Sequence, residues 1–420
     1  MSRVNYSKLV PADSFVGRYL QYMSVQETPH AYDFWNAIWS IGVAAGRNCV
    51  VDRPRIPVYL NWYIILVAQS GTTRKSTSVV ASTKLVREVL DDNTLLVESK
   101  MTPEALELSL HEATRKYGFA HAAISISELV TFLGREKYAA AMPGLLTDLY
   151  DCAAIKTGGG TISRGPTNIR DVFVSFLSAS TPAWLIRAIN PDVIEGGFTS
   201  RCIFVVAEER KKRVAWPDDS NVADAKGRLI DELRHIREFA ATRRRIQLND
   251  TGLKKFTAWY NSRSEHRDPF RSSFESREDS HVLRLAACLS INDGSWDIQG
   301  THITSAIKVI NQVKEDGASI FAGGQSNSQL VLGIDKVKQC LIEAGTSGAT
   351  QTALTKACKN YMNAGRCVTV LEIMHELQMV QRFEGIQLGQ GRPATVWRAT
   401  NQILAKNSME LILNGMEPDR

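Results

Sequence analysis

VYLNWYIILVA at 58–68, QSGTTRKS at 69–76 and TSVVASTKLVREVL at 77–90 are three consecutive stretches with three different patterns. The first is β-branched and aromatic, the composition of a strand buried on both faces. The second is a small polar turn. The third carries apolar residues at helical spacing. A buried strand, a phosphate-type turn and a helix together open an α/β nucleotide-binding domain.

The turn holds the chemistry. A phosphate loop needs small residues so that backbone N–H groups can wrap a phosphate. It needs a Lys for the β and γ phosphates and a Ser or Thr for Mg²⁺. Gly71, Thr72, Thr73 and Arg74 form the turn, Lys75 and Ser76 supply the charge and the metal-facing hydroxyl, and Thr77 opens the helix. The full pattern G-x-x-x-x-G-K-[ST] places Gly at 69 and 74, where this chain has Gln69 and Arg74. The plain alternative is a basic helix start after a core strand. Arg74 either adds charge on the phosphates or faces solvent.

Outward from this stretch the chain alternates. Residues 1–30 are polar, broken by Pro11 and Pro29, and read as an arm with one short helix over 13–23. Residues 32–45 are apolar at helical spacing and end at Gly46, a C-cap. Thr102 caps a helix over 102–117 with Pro103 at its first position. AAISIS at 122–127, 172–177 and CIFVVA at 202–207 read as further buried strands, so a mostly parallel sheet is expected over about 50–210. The boundaries read as an arm over 1–30, a P-loop ATPase core over 31–210 and an α-helical domain over 211–325. A linker, GGQSNS at 323–328, leads to a winged helix-turn-helix over 329–400 and a tail over 401–420. In that winged unit, 364–380 has an apolar stripe at Val368, Leu371, Met374 and Leu377. Arg366, Thr369 and Glu372 lie off it, facing a major groove. Arg392 sits at the tip of the wing, Gly389-Gln390-Gly391-Arg392-Pro393, within reach of a phosphate or the minor groove.

Three more places carry candidates. Ser127-Glu128 follow the second strand, where an acidic residue orients the attacking water in P-loop ATPases, so Glu128 reads as the catalytic acid. Ser127 stands where an Asp is usual. SFLSASTP at 175–182 puts Ser180 and Thr181 at a strand tip, facing a γ-phosphate. Gly196-Gly197-Phe198-Thr199-Ser200-Arg201 suits an arginine finger that neutralises transition-state charge on a neighbour's nucleotide. A salt-bridged surface Arg is the plain alternative there.

Composition sets the outer limits. The chain has 420 residues, 44% apolar and 22% charged, with 50 Lys plus Arg against 44 Asp plus Glu, a net charge of +6. That permits nucleic acid as a partner without demanding it. Seven Cys form no C-x-x-C pair, and the eight His make no metal spacing with them, which argues against a disulfide framework or zinc ribbon. The longest apolar run falls well short of the about 20 residues of a membrane span, and the N-terminus has no apolar leader. A cytoplasmic protein is expected.

The order of AQSGTTRKS, AAISISE, FLSASTPAWL, GGFTSR and SHVLRLAACL resembles the P-loop ATPases encoded by phages, plasmids and satellites. That family carries a domain of unknown function attached to primases and is grouped with helicases. SKMTPEALELSL between the first two motifs is similar to it too, and the sequence also resembles the AAA+ core of MCM-type and superfamily 3 helicases. The likeness spans about 30–325. It implies an α/β P-loop NTPase (AAA+/RecA-like) core, ATP and Mg²⁺ as cofactors, and Arg284 in HVLRLA as a second sensor arginine. In ring helicases the region of 156–170 supplies pore loops, so Lys156, Arg164 and Arg170 are expected to track a strand of nucleic acid. The reading is an ATP-dependent DNA helicase or translocase of a mobile element. It forms a ring, expected as a hexamer, with single-stranded DNA in the pore and duplex on the winged helix, and a separate primase or polymerase supplies priming. Two alternatives share these motifs: a helicase loader or origin-recognition ATPase that does not unwind, and a transcriptional regulator with an ATPase-derived domain.

Overall fold

A computed structural model describes residues 3–133, 141–157, 167–189, 197–216, 222–242, 245–263, 266, 268–326, 329–359, 361–387 and 393–404. Side chains are described for all of these except 187, 322–326, 329–332 and 404. The chain divides into two compact units, residues 1–321 and 322–420. Among the described residues no helix is long and apolar enough to cross a membrane.

The first unit is α/β and is built on five parallel strands: β1 (Tyr63–Val67), β2 (Thr94–Val97), β3 (His121–Ile126), β4 (Phe173–Ser180) and β5 (Cys202–Val206). Their spatial order is β2-β3-β4-β1-β5. β1 and β4 are fully buried because helices cover both faces; β1 is an unbroken apolar run, while β4 carries Ser175, Ser178 and Ser180 among its apolar residues. Val67 pairs with Ser180 and Ile126 with Ser178. That register brings the carboxyl ends of β1, β4 and β3 level with one another.

The eleven-residue run does not form one strand. Val58–Tyr59 pairs antiparallel with Val50–Val51 in a small separate sheet, and β1 begins only at Tyr63. Between them Asn61 is buried, and its Nδ2 donates to Tyr150 O at 2.8 Å and Val174 O at 3.4 Å. A buried amide must find partners, and here it finds carbonyls of two other elements. The helix α2 (His30–Ala45) packs onto this break through Gly42. A Cβ there would lie 2.3 Å from Leu60 O and 3.0 Å from Trp62 Cδ1. Gly42→Ala is therefore expected to cost about 2–3 kcal/mol, read as a lower denaturation midpoint at unchanged slope. A midpoint equal to wild type would mean that helix and break are not in contact.

Sequence patterning does not disclose β2. TLLV is short, lies at the sheet edge and is mostly half-buried, so neither alternation nor a long apolar run marks it. The helix Pro269–Asn292 starts well before the apolar segment that signals it. Asp268 caps it by accepting from Arg271 N, and Pro269 opens it. The supposed linker at 323–328 is helical as far as Ser326. The short helix expected over 13–23 is present, and the segments on either side of residue 210 pack into a shared core. One hydrophobic core runs from Val4 through the sheet to Phe321, and the helix α1 (Phe15–Tyr22) contributes Phe15, Val16, Tyr19 and Leu20 to it.

Among its described residues the second unit has the α-helices Gln329–Ala344, Gln351–Cys358 and Ala364–Glu376 and a three-stranded antiparallel sheet. In chain order it runs helix, strand (Ala349–Thr350), helix, helix, strand (Val380–Ile386), strand (Ala394–Ala399). Its core holds Leu354, Leu371, Met374 and Trp397.

Candidate active site

The helix α3 (Lys75–Arg87) follows β1 directly and supplies the positive end of its backbone dipole to the turn before it. Buried polar bonds fix α3 in place. Asn36 Nδ2 donates to Ser78 O at 2.8 Å and to Ser78 Oγ at 2.7 Å. Thr83 and Ser125 share a hydroxyl bond of 2.5 Å that ties α3 to β3. Tyr32 Oη donates to Val67 O at 2.8 Å, so α2 also holds the strand end from which the turn departs.

The turn places two residues in the left-handed region. Gly71 is left-handed, with φ +76°, and nothing lies within 4 Å of where its Cβ would stand. Arg74 is left-handed too, with φ 53° and ψ 40°. This is the position where the common pattern has Gly, so the conformation is kept although the glycine is not. For a residue with a Cβ that backbone costs about 1–2 kcal/mol. The Arg74 side chain is anchored by Glu27, whose Oε2 accepts from Nε at 2.7 Å. Glu27 also accepts from Val214 N at 3.0 Å and Arg210 Nη1 at 2.9 Å. The Val214 N–H, with the Arg74 and Arg210 guanidinium groups, holds its carboxyl down at about 2. Neither Glu27 nor Tyr32 has a sequence signal, since their partners lie 47 and 35 residues away.

Lys75 Nζ donates to Ala68 O at 2.8 Å and Gln69 O at 3.0 Å, both carbonyls of its own turn. Burial pushes its pKa down, and the nearby Glu128 charge opposes that shift. A cavity of about 430 Å³ opens where the three strand ends meet. Gly71, Arg74, Lys75, Ser76 and Thr77 line one side. Ser127 and Glu128 line another, and Ala179, Ser180, Thr181 and Trp184 close it. Five of the expected nucleotide residues and the expected catalytic acid are thus brought to one place, with Ser180 beside them. Thr72 and Thr73 are not in its lining. Thr72 Oγ1 bonds Gln69 O at 2.9 Å, and Thr73 is buried toward Tyr32. A neighbouring hollow of about 440 Å³, walled by Tyr22, Met23, Val25, Val80 and Ala81, shares Ser76 and Thr77 with the first.

These residues fit a nucleoside triphosphate with Mg²⁺. The space at Gly71 admits a phosphate against the backbone, and Lys75 can exchange two neutral acceptors for an anionic one. Ser76 offers an exposed hydroxyl at the helix start. Among the described residues no cluster of three or more His, Cys, Asp or Glu could hold a metal by itself. Mg²⁺ that keeps its waters and takes phosphate oxygens needs none. Arg74→Gly is expected to leave stability within about 1 kcal/mol, because relief of the left-handed strain offsets the glycine entropy, and the buried Glu27 keeps Arg210 and the Val214 N–H as partners. Nucleotide affinity should stay within threefold. A large loss of affinity would assign the phosphate contact to the Arg74 side chain instead of the loop backbone.

Arg284 is a correction. It is buried at the other end of the sheet, where Nε donates to Tyr59 O at 2.6 Å, Nη1 bonds Tyr150 Oη, and the guanidinium lies 5.3 Å from the Trp62 ring centroid. Roughly 13 Å of β1 separates that end from the phosphate turn. It is a structural arginine, not a sensor of its own chain's cavity. Arg201 stands at the same end, just before β5. Its Nη1 donates to Gly197 O and its Nη2 to Asp151 Oδ2, both at 2.9 Å, and its side chain is 11% exposed. Lys156 bonds Asp148 Oδ2 at 2.9 Å on the hairpin strand Ile155–Thr157, while Arg170 is exposed on its partner Asn168–Arg170. Arg164 and Arg392 lie outside the described residues. In the second unit Arg366, Thr369 and Glu372 are exposed. The buried stripe there is Cys367, Val370, Leu371 and Met374, with Val368 and Leu377 half-buried.

No protein-family model and no curated protein matches the chain.

Proposed function

We propose that this chain is an ATP-hydrolysing motor that remodels DNA and works as a ring of subunits. The observation that carries the ATPase part is the convergence of Lys75, Ser76, Glu128 and Ser180 on one cavity at the carboxyl ends of three adjacent parallel strands. Ligands of open parallel sheets bind at that end. Bound ATP with Mg²⁺ supplies the phosphoryl group to be transferred and the charge that neutralises it. The chain's own part is binding and proton transfer. Backbone N–H groups of the turn and the Lys75 ammonium hold the phosphates. The Glu128 carboxylate takes the proton of an attacking water. The Ser180 hydroxyl, at the tip of the intervening strand, orients that water. The hollow beside Ser76 and Thr77, apolar and floored by Tyr22, suits the base.

The DNA part rests on the second unit. Its helix and strand order supports a winged helix-turn-helix, with the helix Ala364–Glu376 as reader and Arg366 exposed near its start. Unwinding is tested by strand displacement on a forked duplex, alongside particle mass with ATP and DNA. A ring of six chains and ATP-dependent displacement are expected.

One observation favours the rival reading of a DNA-binding ATPase that loads or remodels without unwinding. Arg201 and Lys156, expected to reach a neighbour or a pore strand, both have carboxylate partners in their own chain. DNA-stimulated hydrolysis with no displacement and no ring would establish that reading instead.

A further inference from the structure

At the amino ends of the central strands, opposite the phosphate turn, lies a second cavity of about 540 Å³. Three arginines from three separate elements converge on it. Arg47 follows α2, Arg237 is on the helix Val222–Thr242, and Arg245 is on the strand Arg245–Ile246. Tyr59, Phe119, Asn48 and Asn93 also line it, with Asp91 and Asp171.

Each guanidinium has a carboxylate. Arg47 donates to Asp171 Oδ1 through Nε at 3.3 Å and Nη2 at 3.0 Å. Arg237 donates to Asp91 Oδ2 through Nε at 3.2 Å and through Nη2. Arg245 Nη1 donates to Asp52 Oδ1 at 3.0 Å. Two of these pairs are lopsided. The Arg47 and Arg237 side chains are 11% and 23% exposed, while Asp171 and Asp91 are 55% and 61% exposed. The cations are fixed by packing and the anions sit in water, where such pairs contribute little. An incoming anion can replace the carboxylates without leaving a cation uncompensated.

Three further observations point the same way. Arg47 stacks 4.5 Å from the Tyr59 centroid, and its Nη1 is buried with no hydrogen-bond partner. Asp171 is held left-handed, φ 44°, and strained backbone collects at functional sites. The wall also holds His121, which burial first, and the Arg47 and Arg237 charges with it, push down to about 4 against the opposing Asp171 charge, so its imidazole is neutral at pH 7.

We propose that this cavity binds a small phosphate-bearing ligand with a planar ring, of nucleoside monophosphate size. Arg47, Arg237 and Arg245 take the phosphate, and Tyr59 and Phe119 hold the ring. Phe119 is braced for that by His121, whose ring centroid lies 4.4 Å away. The volume falls in the range of small-ligand sites. The site shares no lining residue with the phosphate-loop cavity and does not depend on the ATPase reading.

The test is calorimetric titration with AMP, and separately with inorganic phosphate, into Lys75→Ala protein, so that the phosphate loop does not contribute. One AMP per chain is expected, with inorganic phosphate binding more weakly and competing. Asn93→Asp keeps the oxygen that accepts from Thr94 Oγ1 and adds a negative charge at the wall, so it should weaken AMP at least tenfold. Arg237→Ala should do the same and Arg237→Lys less. The proposal is overturned if Lys75→Ala protein shows no saturable AMP binding up to about 10 mM. It is equally overturned if binding is indifferent to both Asn93→Asp and Arg237→Ala.

Discussion

Lys75→Ala is expected to lower ATP hydrolysis by about 10²–10³-fold and nucleotide affinity by at least tenfold, while the fold stays intact. The magnitude follows from what the ammonium does. A charged donor aimed at developing charge in a water-poor site is typically worth that much in turnover. A charge-assisted hydrogen bond lost from binding costs about 1.5–3 kcal/mol. The fold should survive because the hydrogen bonds of Lys75 Nζ go to two main-chain carbonyls, Ala68 O and Gln69 O, and to no charged partner. Thermal melting, fluorescent-nucleotide titration and phosphate release on one preparation check all three. Hydrolysis within threefold of wild type would remove Lys75 from the site and, with it, the phosphate-loop reading.

Glu128→Gln is expected to bind ATP as well as wild type and to hydrolyse it about 10²–10⁴-fold more slowly, the usual worth of a positioned general base. The substitution is nearly isosteric. Thr131 N and Oγ1 bond the backbone carbonyl of Glu128 and not its side chain, so the start of the helix Leu129–Leu133 is unaffected. Binding and turnover should therefore separate, which a loss of folding would not produce. A wild-type hydrolysis rate would mean that another group takes the proton.

Some of this was legible in the residues alone. The buried strand, the small turn and the helix after it are signalled within about thirty consecutive residues, because each depends on local period and turn chemistry. Glu128 and Ser180 were legible as strand-end residues once the strands were placed. Local pattern failed where long-range partners decide. Asn61 interrupts the apolar run because carbonyls of Tyr150 and Val174 draw its amide inward. Arg284 is expected at the nucleotide only through the resemblance, and Tyr150, 134 residues away, holds it at the other end of the sheet, where Arg201 pairs with Asp151, 50 residues away. Arg74 breaks the glycine pattern, yet its backbone adopts the glycine's conformation.

The α/β class, the buried strand before residue 69 with the helix after 76, and the helices after 329 are written in local pattern. Those features follow from side-chain period, helix caps and the chemistry of adjacent residues. Folding alone brings the ends of β1, β3 and β4 level around one cavity, since strand register is set by packing between segments far apart in the chain. It also sets which partner each arginine meets, Asp171 for Arg47 and Asp151 for Arg201. A guanidinium's role depends on the carboxylates and rings that folding brings beside it, and the residues on either side of it in the chain carry no record of them.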